Sequence, residues 1–114
     1  MKNDKVYILS KKSYHNYKNA EKFGELKEIF SGDLPVFQSD KLIQMIQEEL
    51  MVFEKNDLLL LSGNPLVNVI AVFYLISKFG ELKVLLFNVF NDFYILRTLR
   101  KGDLEYEKIN NKTP

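Results

Sequence analysis

Lys22-Phe23-Gly24-Glu25-Leu26-Lys27 recurs letter for letter as Lys78-Phe79-Gly80-Glu81-Leu82-Lys83. In each copy a helical stretch ends, glycine supplies the left-handed residue that suits a helix C-terminus, and Glu-Leu-Lys opens a strand-like run. A short apolar run ending in Leu-Ser precedes each copy: Val6-Tyr7-Ile8-Leu9-Ser10 and Leu58-Leu59-Leu60-Leu61-Ser62. The chain therefore spells strand, helix, strand twice. Such connections are right-handed and make their flanking strands parallel. The spacing predicts an α/β fold, a small Rossmann-like, mostly parallel sheet made from two β-α-β units. The helices before the two copies differ, the first short and polar and the second long and apolar. The repeat is thus open to two readings, a worn duplication or one capping solution used twice.

Working outward, residues 5 to 10 read as a strand, 11 to 16 as a polar loop and 17 to 23 as a short helix. Residues 25 to 30 alternate only partly, as an edge strand does. Ser39 or Asp40 is placed to cap a helix whose apolar positions Leu42, Ile43, Met45, Ile46, Leu50 and Phe53 form one stripe. Leu58 to Leu61 is a continuous apolar run, expected of a central strand covered on both faces. The next helix has Asn64 as its cap and Pro65 at its first position, and Gly80 ends it after Phe79. Strands over 82 to 89 and 93 to 99 are separated by too few residues for a crossover, so they form a C-terminal antiparallel hairpin. Arg100 to Asp103 reads as a turn and Leu104 to Glu107 as a short edge strand. Residues 1–109 make one α/β domain, and 110–114 a frayed tail.

The composition restricts the functional classes. At 114 residues the chain has the size of one domain, and 46% hydrophobic content supplies a core. Sixteen basic against fifteen acidic residues leave a net charge of +1, too little for a bulk field that attracts nucleic acid or anionic lipid. Zero cysteines remove disulfides, thiolate nucleophiles and cysteine zinc sites, and a single histidine leaves no metal-ligand spacing. No metal and no cofactor is expected. The start lacks the pattern of a signal peptide, which points to the cytoplasm. The apolar stretch from Leu58 to Ile76 approaches a membrane span in length, but Ser62-Gly63-Asn64-Pro65 interrupts it.

Parallel β-α-β units bring Ser10 and Ser62 to one rim, the carboxyl ends of the strands, where open α/β sheets bind ligands. Gly63 allows close backbone approach, the helix opening at Pro65 offers free amides, and Asn68 lies one turn beyond Asn64. The facing loop contributes Lys11, Lys12, Tyr14 and His15. The candidate ligand-binding residues are Ser10, Lys11, Tyr14, His15, Ser62, Gly63, Asn64 and Asn68. Capping alone accounts for Asn64 and Pro65, and a polar loop needs no ligand to explain it. Neither a P-loop nor a dinucleotide fingerprint is present.

Other groups carry less. Glu21, Glu25 and Glu28 read as solvated charge, and Arg97, Arg100 and Lys101 as a small basic group offset by Glu105 and Glu107. The helix from Pro65 to Phe79 has hardly a polar face, so it predicts burial against a partner, here a homodimer. Three functions follow. The leading expectation is a cytoplasmic sensor or sequestering domain, acting as a homodimer on a nucleotide-like or other anionic small molecule. The alternative is a non-enzymatic accessory subunit docking through helix 65–79. The third is a small hydrolase or phosphodiesterase using His15 as its acid or base.

Overall fold

The computed structural model describes residues 4–11, 17–88, 90 and 93–105. Five strands form one sheet: β1 (Lys5–Ile8), β2 (Glu25–Glu28), β3 (Leu58–Leu60), β4 (Glu81–Asn88) and β5 (Phe93–Arg100). Their order is β2-β1-β3-β4-β5. β1 pairs parallel with β2 and β3, and β3 pairs parallel with β4. β5 closes the sheet as the antiparallel partner of β4. The fold is a mixed α/β sheet, mostly parallel, ending in a hairpin.

Both copies of the hexapeptide end a helix and open a strand, but only Gly80 is the expected left-handed cap; Gly24 has φ 155°. Lys22 and Phe23 end a 3-10 helix (Tyr17–Phe23), and Gly24 turns the chain into β2. Lys78 and Phe79 end the long helix α2 (Pro65–Phe79), and Gly80, at φ 80°, turns it into β4. The two units grow away from the central β1–β3 pair in opposite directions. Crossovers of one hand must then lie on opposite faces, and the packing shows this. Tyr17 and Ala20 of the 3-10 helix pack on Val6, Ile8, Leu58, Leu60 and Leu85. α2 and the helix α1 (Ser39–Glu49) cover Tyr7, Leu9, Leu59, Leu82 and Val84 on the other face. With both its faces covered, β3 needs the continuous leucine run that it has.

The short helix expected over residues 17–23 is a 3-10 helix. Two local expectations change. At α1 neither Ser39 nor Asp40 caps, because the helix already includes both; Gln38 holds the cap position and makes no side-chain cap bond. Residues 101–104 form one helical turn, α3 (Lys101–Leu104), so Leu104, expected to open an edge strand, ends a helix instead. The Lys101 amide donates to the Gly80 carbonyl at 2.9 Å, which draws the chain back over the end of α2. The hairpin turn Asn91-Asp92, Tyr106-Glu107 and the tail 110–114 lie outside the described residues.

Tyr7 sits in the main core, 4.9 Å from Phe53 between ring centroids. Burial, with the carboxylates of Asp57 and then Glu54 nearby, pushes its phenol above the ordinary value of 10.0. A folded-state value above the unfolded one contributes stability that is intact below pH 10 and is lost as pH rises through the raised value. Urea unfolding on either side of that pH should show a steeper alkaline decline for the native chain than for Tyr7→Phe. Equal slopes would mean that Tyr7 takes no part.

Candidate functional site

The rim predicted from the repeat exists, and its two loops touch. The strand order reverses between β1 and β3, so the connections leaving these strands diverge to either side. This divergence is where open α/β sheets leave a crevice for ligands. Here the crevice is bridged by the protein's own groups. The Ser62 hydroxyl donates to the Ser10 carbonyl at 2.7 Å, and the Asn64 amide donates to Ser10 Oγ at 3.0 Å. Tyr17, whose ring caps the far face, donates its hydroxyl to Ser62 Oγ at 3.3 Å. Gly63, at φ 74°, passes so close that a Cβ there would run into the Ser10 carbonyl and hydroxyl.

Asn64 and Asn68 complete the arrangement. Asn64 Oδ1 accepts from the Leu66 and Val67 amides at 2.9 and 3.3 Å, capping α2. Asn68 is only 8% exposed, and its Nδ2 donates to the carbonyls of Ser62 and Asn64 at 2.6 and 2.9 Å. Its Oδ1 has no hydrogen-bond partner among the described residues. That orphan atom is an acceptor, so it calls for a donor rather than an anion. Lys11 Nζ lies 3.2 Å from Glu28 Oε2 and 5.2 Å from the centre of the Tyr17 ring. The structure thus brings Ser10, Ser62, Gly63, Asn64 and Asn68 together, and their polar groups largely satisfy one another, while Lys11 pairs with Glu28. Tyr14 and His15 lie outside the described residues.

Two residues with marked roles gave no signal in the sequence. Tyr17 joins the two faces of the sheet through Ser62. Asp57, 2% exposed, accepts from the Lys5 amide at 3.0 Å and the Glu54 amide at 2.8 Å. Its partner Lys5 is 52 positions away, so nothing near Asp57 in the sequence marks this role.

One exposed apolar surface is on α2. The helix buries Val67, Ala71, Leu75 and Ile76 against the sheet and α1. On its outer side Leu66, Val69 and Phe73 are 42%, 63% and 76% exposed. A cavity of about 510 Å³ separates this ridge from β5 and α3, and another of about 450 Å³ separates it from α1. Neither depends on a charged residue of α2, which has none between Pro65 and Ser77.

Residues 4–100 match the phage Pam3 gp32-like protein family. The chain belongs to this family. The match takes in every strand, the bridged rim and all of α2, and stops at the start of α3. The family's name carries no activity. No curated protein and no solved structure matches the chain. Among the described residues no helix is long and apolar enough to cross a membrane. Nor do they contain a group of three or more His, Cys, Asp or Glu side chains placed to hold a metal ion.

Proposed function

We propose that this chain is a non-enzymatic interaction subunit that docks through the outer face of α2. The observation that carries this reading is the ridge Leu66, Val69 and Phe73, three large apolar side chains held out to solvent on one rigid helix. Within this ridge Phe73 offers an aromatic anchor of the kind that dominates interfaces. Helix stability does not require the exposure, since the buried side of α2 already fixes it on the sheet. The bridged rim points the same way: Ser10, Ser62 and Asn64 act on one another and hold α2 in place.

Photo-crosslinking tests this reading. With p-benzoylphenylalanine in place of Phe73, the chain expressed in cells should form a covalent protein adduct. The same group in place of Glu25, exposed on the far edge of the sheet, should form none. Absence of any adduct from position 73 removes the reading.

A second reading keeps the Rossmann-like expectation of a nucleotide-like or other anionic ligand at the rim. It is favoured by a cavity of about 300 Å³ beside Ser10 and Lys11, walled by Glu28, Phe30 and Gly32, which reaches the lower limit for small-molecule sites. Glu28, paired with Lys11, opposes an anion there. A thermal-shift series with mono-, di- and cyclic nucleotides should raise the melting temperature if this site is used; no shift with any of them rejects it.

A further inference from the structure

Side chains of an α-helix form ridges along every fourth residue, and two helices pack when the ridge of one enters the groove of the other. On α2 the row Val69, Phe73 and Ser77 stands between the two cavities and lines both. The rows beside it, Asn68-Val72-Ile76 and Ile70-Tyr74, form the floors of those cavities. The exposed face is therefore a ridge with a groove on either side, shaped to receive a ridge like itself.

We propose that its occupant is a second copy of this chain, related by a two-fold axis, with the α2 helices crossed and each Phe73 seated in the groove between α2 and β5 of the other copy. This rests on the interaction reading above and names the partner. Ridges of this four-residue spacing pack at a crossing angle of about −50°.

Charge supports a twin. A two-fold contact brings like surfaces together, so a patch of one sign repels itself. The helix surface from Pro65 to Ser77 is uncharged. The far lip of the groove carries one charge of each sign, Lys101 and Glu105, both exposed. Neither forms an ion pair among the described residues. Copied by a two-fold axis, Lys101 of one chain and Glu105 of the other are opposite in sign and free to pair.

Sedimentation velocity on the purified full chain, from about 1 to 300 µM, should show a reversible species of twice the 13.4 kDa chain mass. Phe73→Glu should raise the dimer Kd at least about 30-fold, as loss of an interface anchor does. Because Phe73 is a surface residue, its circular dichroism should not change. Lys101→Glu and Glu105→Lys should each weaken the dimer about 2- to 5-fold, and the double variant should recover it. A chain that stays monomeric at every concentration overturns the proposal, as does a dimer unmoved by Phe73→Glu. A monomer whose position 73 crosslinks to a different protein overturns only the second copy and leaves the interaction reading standing. A monomer with no adduct removes both.

Discussion

Asp57→Ala is expected to destabilise the fold by about 3–4 kcal/mol, since hydrogen bonds to a charged acceptor are worth about 1.5–3 kcal/mol each and the abandoned amides stay partly buried. The carboxylate closes its own turn through the Glu54 amide and holds the start of β1 through the Lys5 amide. Both donors lose their partner together. Total stabilities are about 5–15 kcal/mol, so the variant should lie visibly nearer the threshold of folding. Asp57→Asn is a useful companion. It keeps one acceptor oxygen but turns an N–H₂ group toward the second backbone amide, so about half the loss should remain or more. Urea denaturation with an unchanged slope is the measurement. If Asp57→Ala unfolds at the native midpoint, the carboxylate does not anchor β1.

Gly63→Ala should cost about 3 kcal/mol. A side chain at a left-handed residue costs about 1–2 kcal/mol by itself. At Gly63 the new Cβ would also strike the Ser10 backbone, so the loops after β1 and β3 must part. The bonds from Ser62 and Asn64 to Ser10 would go with them, at about 1 kcal/mol each. Gly80 provides the control. It has nearly the same φ, 80° against 74°, but nothing lies within 4 Å of its Cβ position. Gly80→Ala should therefore show the conformational cost alone, about 1–2 kcal/mol. Equal losses at the two glycines would show that the contact across the rim contributes nothing.

Much of the architecture was legible because it rests on local chemistry. The cap at Asn64, Pro65 at the first position and Gly80 at the end of α2 follow from how helix termini satisfy their amides and carbonyls. The leucine run of β3 announced a strand buried on both faces. The Ser39 or Asp40 cap was misjudged because either residue suits the position, and the helix begins one step earlier than the polar cluster suggests. The 3-10 geometry of 17–23 was likewise beyond pattern reading, since the two helix types share their side-chain chemistry.

The candidate site divides in the same way. That Ser10 and Ser62 share a rim follows from the handedness of two β-α-β units, which a sequence can convey. That their polar groups are turned on each other is a matter of ångströms between loops far apart in the chain.

The sequence by itself determined the five strands, the helices before α3, the parallel pairing and the closing hairpin, because capping, hydrophobic period and crossover handedness act over a few residues to a few tens. Only the tertiary structure decided which polar groups meet and which apolar ones stay outside. α2 is apolar nearly all round, so its periodicity marks no outer face. Its orientation is set by Leu9, Leu59 and Leu82 beneath it and by α1 on one side. These contacts left Phe73 in solvent.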